Sequence, residues 1–226
     1  MRNFIRQLAD EINLQFEMTQ FTNNNYKSYN HYKSYSPAKS GTEIGGYKVS
    51  PVFIQLTIVH GFTIEFCQIY IDIGYKNYKG YKGYSRQSDQ MIQAGRSSKQ
   101  CWAEGFLQKS LEGRLKMIGV TRGSNEELLN DYQDYLRQHK LKIWDKSDPR
   151  SLAIRKIAYN NYKSYNDYKV YLKDPEVAAN AMIILINQTN QMIDQKYRWE
   201  EEKFAKEGGF RERLFKKRME YKRNEH

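Results

Sequence analysis

Cysteine is nearly absent. Cys67 and Cys101 are the only two in 226 residues, each in an apolar, helix-patterned context. The chain therefore carries no disulfide framework, reads as a protein of a reducing compartment, and its thiols read as ordinary buried side chains. Histidine is as sparse: His31, His60, His139 and His226 are scattered, and no His/Glu pair has the spacing that sets two ligands on one helix face, so no metal site is expected. Neither thiol has a histidine near it in sequence. The glycines between Gly41 and Gly46 are not followed by the lysine and serine of a phosphate-cradling loop and read as a turn entering the first helix. No cofactor is expected, and the chain reads as a non-enzyme. Long unbroken apolar runs are missing too. Asp10, Glu11 and Glu17 interrupt Met1 to Phe21, and His60, Glu65, Gln68 and Asp72 interrupt residues 52 to 73, so neither a secretory signal nor a membrane span is expected and the cytoplasm is the expected location.

Tyrosine is present in excess, 19 residues of it, and so is positive charge, a net +11. Tyrosine recurs every third residue at Tyr26 to Tyr35, Tyr75 to Tyr84 and Tyr159 to Tyr171, usually followed by lysine. The tracts carry seven lysines and one acid, Asp167, so about half the excess charge belongs to them. A period of three drifts by about 60° per step on an α-helix, so the rings spiral round it and do not form a buried stripe. Two readings are open. The tracts are a comb of rings and cations that stacks on single-stranded nucleic acid at about 1 to 3 kcal/mol per ring; or they are slippage insertions of a nine-nucleotide unit into connections, where extra length is tolerated. The second is preferred.

The rest of the chain is patterned as helices. Residues 52 to 73 alternate in part as a strand would, but Val59, Phe62, Phe66, Ile69 and Ile73 fall on one helical face and Gly61, Glu65, Gln68 and Asp72 on another. A second helix is expected to begin near Arg86 to Asp89 and run to Glu104, with Gly105 as its terminator. Its Ala94, Gly95, Ser97, Ser98 and Ala103 leave room for a close neighbour. A third runs from Ser110 to about His139 with Leu115, Ile118, Leu129, Tyr132 and Leu136 facing inward, and Gly113, Gly119 and Gly123 suggest tight packing. Two of the four prolines follow an aspartate, Asp148-Pro149 and Asp174-Pro175, the signature of a capped helix start. The helix from Glu176 to about Ala205 is apolar all round at Ala181 to Ile186, so it is expected to be covered on two sides, the second by a partner subunit through Met182, Ile183, Ile184 and Ile186. Gly208-Gly209 ends it, and residues 210 to 223 read as a short basic helix.

The motifs Gln93-Ala94-Gly95-Arg96-Ser97-Ser98-Lys99-Gln100, Ala103-Glu104-Gly105 and Val120-Thr121-Arg122-Gly123-Ser124-Asn125-Glu126-Glu127-Leu128 resemble the four-helix-bundle family known from intervening sequences in bacterial large-subunit ribosomal RNA genes. Residues 174 to 218, with Ala178-Ala179-Asn180-Ala181-Met182 and Glu207-Gly208-Gly209-Phe210-Arg211-Glu212-Arg213, resemble the suffix extension that one branch of that family carries. Cys101-Trp102 and the internal tyrosine tracts depart from the pattern. The resemblance implies an all-α, up-and-down four-helix bundle assembling as a homo-oligomeric ring, pentameric in the family. A bundle of similar fold, the accessory protein of diversity-generating retroelements, is a basic ring that associates with a reverse transcriptase and nucleic acid. On this reading residues 1–45 are a low-complexity segment, 46–145 hold three bundle helices, 146–174 are a linker, and 175–226 hold the long fourth helix and the basic tail.

The candidate ligand-binding residues are the cations. Arg96, Lys99 and Arg122 sit among helix-packing positions, where they either engage phosphates or, in the case of Arg122, pair with Glu126 one turn on or with Glu104 on the preceding helix. In the tail, Arg211, Arg213, Lys216, Lys217 and Arg218, followed by Lys222 and Arg223, outnumber Glu212, Glu220 and Glu225. The expected function is weak, phosphate-directed binding of RNA or DNA by a non-enzymatic homo-oligomer, an accessory to a nucleic-acid machine; the alternative is a protein-interaction ring with no nucleic-acid ligand.

Overall fold

The first helix starts at Pro51, one residue before the apolar stretch in which the sequence reading places it, and from there every described element is helical. A computed structural model describes residues 46–72, 85–158 and 163–224, and among these there is no strand. The segment 1–45 and the tyrosine tracts at 26–35 and 75–84 lie outside the described residues.

Helix α1, Pro51–Phe66, buries Val52, Leu56, Val59, Phe62 and Phe66. It is long and apolar enough, with the turn after it, to span a membrane, but half of that stretch is buried inside the protein, and its buried Gln55 and Thr63 are bonded to neighbouring helices, as a core helix requires. It continues as a π-helical turn, Cys67–Ile71. That wider turn corrects the inner face read from the sequence: each extra residue rotates the remainder of the helix by about 100°, so Cys67 is buried while Ile69 is exposed. Asp72, expected on the polar face, is buried instead, its Oδ1 accepting from the Ser85 backbone N–H at 2.9 Å and the Ser88 hydroxyl at 2.7 Å.

Helix α2, Arg86–Leu107, and helix α3, Leu111–Gln138, are joined by three residues, with Ser85 and Ser110 capping their first turns. Gly105 does not terminate α2. It lies buried within it, and a Cβ there would stand 2.9 Å from the Cβ of Met117, so glycine is required because α3 passes so near. The close approach also lies at Gly95, which meets His60 and Leu128, and not at Gly119 or Gly123, which face open space. On α3 the inward stripe is Ile118, Leu128, Leu129, Tyr132, Tyr135 and Leu136, while Leu115 is only half-buried.

Pairings fix the directions. His60 meets Gly95 and Cys67 meets Met91; Gly105 meets Met117 and Ser97 meets Ser124; Arg114 meets Glu200 and Asn125 meets Asn190. Rising numbers on one helix match falling numbers on the next, so α1, α2, α3 and the last long helix, α6 (Pro175–Glu207), run alternately antiparallel, and α6 packs back on α1. Hydrogen bonds thread the core at Thr63 to Tyr132 (3.0 Å), Gln55 to Thr189 (2.8 Å) and Asn125 to Asn190 (2.8 Å). A slip of one turn would break each of them, so they lock helix register.

The described parts of the segment read as a linker, residues 146–158 and 163–174, hold helical elements. They contain α4, Pro149–Ala158, and α5, Tyr165–Lys169, running into a 3₁₀ turn, Val170–Lys173; α4 and the 3₁₀ turn both pack on α6. Trp144 and the loop before α4 are clamped to the start of α6: the indole Nε1 donates to Glu176 at 2.9 Å, the Trp144 N–H donates to Asn180 at 2.8 Å, and the Arg150 guanidinium lies 3.9 Å over the indole. Met182, Ile183, Ile184 and Ile186 are consequently inside a single chain, Ile183 and Ile184 at 8% exposure and the other two at 0%. The second side of α6 is covered by the chain itself at these four residues, so their burial does not require the partner subunit that the sequence reading invoked.

The same segment overturns the reading of the third tyrosine tract as surface. Tyr168 and Tyr171 are buried. Tyr168 lies in α5 and Tyr171 in the 3₁₀ turn that follows; one step of the period of three displaces a ring by only about 60° even on an α-helix, so these two rings stay close to one face although a longer run would spiral.

Candidate nucleic-acid interface

The basic tail is set apart by a glycine. Gly208 ends α6 at φ +73°, a left-handed backbone that a side chain would strain, and the Gly209 N–H donates to the Glu212 carboxylate at 2.9 Å, capping the next helix, α7 (Phe210–Asn224). α7 buries none of its residues. Its seven basic side chains stand against Glu212 and Glu220, and among the described residues no carboxylate lies within ion-pair distance of Arg211, Arg213, Lys216, Lys217 or Arg218. All five are exposed except the half-buried Arg213. The apolar side chains of α7 are equally bare: Phe210, Leu214, Phe215, Met219 and Tyr221, with Phe215 at 64% and Tyr221 at 73% exposure. At about 100° per residue, Phe210, Leu214 and Tyr221 fall in one strip and Phe215 and Met219 in another, separated by Arg211, Arg218 and Lys222. A shallow depression of about 490 Å³ lies against Arg211, Glu212, Phe215 and Lys216. The surface thus alternates ring and cation.

Arg122 is not part of such a surface. It pairs with Glu126, the partner its i, i+4 spacing suggests, and with Asp194 of α6 at 3.1 Å; Glu104, the other partner considered, is exposed on α2 and takes no part. Its charge is spent on holding α3 to α6. Arg96 and Lys99, one turn apart on α2, have no carboxylate partner among the described residues, and the Lys99 ammonium lies 3.2 Å from His60 Nδ1. Burial, then Lys99, then Arg96 drive the His60 pKa down to about 4, so its ring is neutral at pH 7.

Sequence reasoning missed one buried ionic cluster. Glu200, fully buried, receives both Arg114, at 3.1 and 3.3 Å, and Lys196, at 2.9 Å. Lys196 also lies 3.9 Å over the Trp199 ring, and burial lowers its pKa. The Lys196–Glu200 spacing was legible; the reach of Arg114 across helices was not. This cluster fastens α3 to α6 and opens onto no cleft.

Burial pushes the Cys67 thiol up to about 12, which leaves it protonated and unreactive. Asp131 is raised to about 6 by burial and then by Asp134 and Glu127, in a crowd of carboxylates on α3 without a nucleophile. No group of three or more metal-ligating side chains occurs among the described residues. What the arrangement can do is hold anions, at α7 and at the pair Arg96 and Lys99. Set against models of known protein families, against curated proteins and against solved structures, the chain finds no match in any of the three comparisons.

Proposed function

We propose that this protein is a non-enzymatic up-and-down four-helix bundle of the intervening-sequence type that binds RNA or DNA weakly, through phosphates, and serves as accessory to a larger nucleic-acid machine. The observation that carries the reading is α7: a helix with no buried side chain, seven basic residues against two acids, and five of those cations without a carboxylate partner among the described residues, interleaved with aromatic rings, the combination by which proteins hold single strands. Arg96 and Lys99 add a second, smaller cationic site, and Arg122 no longer belongs to the interface. Self-association rests on the family resemblance alone, now that the apolar band of α6 is accounted for within the chain.

Filter binding of a single-stranded oligonucleotide across a salt series tests the reading. Affinity falling steeply as salt rises, and lost in a chain ending at Gly209, supports it; no binding at low salt sinks it. A second reading is favoured by the five bare apolar side chains of α7, which a protein partner would cover. Capture from native extract that survives nuclease treatment favours that partner over nucleic acid.

A further inference from the structure

Lys99 is half-buried, and its nearest polar neighbour is not an acid but His60 Nδ1, 3.2 Å away. Two groups that both bind protons have been placed side by side, with Arg96 one turn away and no carboxylate in ion-pair range among the described residues. The packing that enforces this is close: a Cβ on Gly95, next to Arg96 in the chain, would stand 3.4 Å from the His60 Cα and 3.6 Å from its ring Cδ2. An ammonium must donate in this contact, so Nδ1 accepts and the imidazole proton sits on Nε2. His60 Nε2 has no protein hydrogen-bond partner among the described residues. The site therefore offers one N–H of His60, the free fork of Arg96 and the remaining N–H groups of Lys99, all donors, and no acceptor to satisfy them.

We propose that His60, Arg96 and Lys99 form a seat for one phosphate group of a nucleic-acid strand, and that His60 takes up a proton from solvent as the phosphate enters. Protonation at Nδ1 removes the acceptor that holds Lys99. Two cations then face each other, an arrangement tolerable only with an anion between them, and the released Lys99 turns to that anion. Proton uptake and anion binding are thus coupled through one 3.2 Å contact. The charged groups acting on His60 are Lys99 and Arg96 of α2; from α5, Tyr165 lies 3.7 Å from where a Cβ of Gly61 would be, and Glu65 on the same helix as His60 is engaged by Lys169 at 3.4 Å. Among the described residues no carboxylate lies within ion-pair distance of His60. The inference rests on the reading that the ligand carries phosphates, and it adds His60 and a pH dependence to it.

Sulfate, a dianion throughout the range used, is the first probe. The His60 ring signal, assigned by its loss in His60→Asn, is followed by NMR from pH 3.5 to 8 in the full chain, with sulfate or with chloride at matched ionic strength. The midpoint near 4 in chloride should rise by about two pH units in sulfate, as an adjacent anion makes the charged ring favourable. An unmoved midpoint overturns the proposal, whatever the oligonucleotide result. The second arm measures binding of a single-stranded oligonucleotide at pH 5 and pH 8 at fixed ionic strength. A two-unit rise predicts about tenfold tighter binding at pH 5. His60→Asn should abolish the tenfold difference between pH 5 and pH 8; retention of that difference overturns the coupling. A midpoint that moves in sulfate while no oligonucleotide binds leaves the phosphate seat standing and removes nucleic acid as its source.

Discussion

The third tyrosine tract and the tail helix are made of the same materials, aromatic rings and cations on a short helix, and they end in opposite states. Tyr168 and Tyr171 are buried against the body of the protein, whereas Phe210, Phe215 and Tyr221 of α7 stand bare. Composition does not separate them; geometry does. In the tract two rings one step apart, Tyr168 on α5 and Tyr171 on the 3₁₀ turn, stay on one side, and Trp144, Glu176 and Asn180 fasten the chain before them to α6. In α7 the rings fall in two strips with arginine and lysine between them, so neither strip can be buried on a flat surface without desolvating charge. The lesson is that a segment rich in both residue types becomes core only where its local spacing sorts one from the other.

The sharpest way to break this contrast is Tyr168→Ala. It should destabilise by about 3 to 5 kcal/mol, the usual figure for emptying a large buried aromatic site, measured by urea denaturation. A change under 1 kcal/mol would return the tract to the surface. Next comes Gly105→Ala, which sets a methyl group 2.9 Å from the Met117 Cβ and should destabilise by about 1 to 3 kcal/mol. The same change at Gly119, which faces open space, should be neutral or slightly stabilising.

Smaller, and readable as a pH profile, is Asp131→Asn. Burial and the neighbouring acids hold Asp131 near 6, above its unfolded value of 3.8, so its protonated form favours the fold and that contribution is lost as pH rises through 6. Removing the charge should stabilise the protein at pH 8, by about 1 kcal/mol once solvent screening of a half-exposed group is allowed for, and should make no difference below pH 4. Smallest of all is Phe215→Ala on α7, expected within about 0.5 kcal/mol of the parent in denaturation while weakening oligonucleotide binding. A large loss of stability there would mean that α7 is covered after all.

Much of the fold was legible because helix signals are local. Ser110, Asp174-Pro175 and Gly208 mark their boundaries by capping chemistry and backbone freedom, and the structure places the boundaries within a residue or two of them. The features that escaped were non-local. Gly105 reads as a stop in a linear string, but its glycine answers to Met117 on the next helix. The all-round apolar stretch Ala181 to Ile186 signals a helix covered on two sides, but the sequence does not say who covers it. Asp148-Pro149 marks the start of α4 correctly, whereas the burial of Tyr168 and Tyr171 escaped because the spiral of a period of three was applied to the whole tract. That α4 and the 3₁₀ turn pack on α6 is a non-local fact no string of residues shows. Of the candidate site, the tail cations were visible as a charge run and Arg122 with Glu126 as a spacing. The meeting of His60 with Lys99 needed two helices to be folded together first.

The clasp of Asp72 on Ser85 and Ser88 has a further consequence for how this protein can vary. Because the close of α1 grips the opening of α2 directly, the pairing of those helices does not depend on how much chain is strung between positions 72 and 85. That makes the interval a writable stretch of the molecule, where a reporter peptide or a tether can be spliced in with the neighbouring helices still held to each other by two short polar bonds.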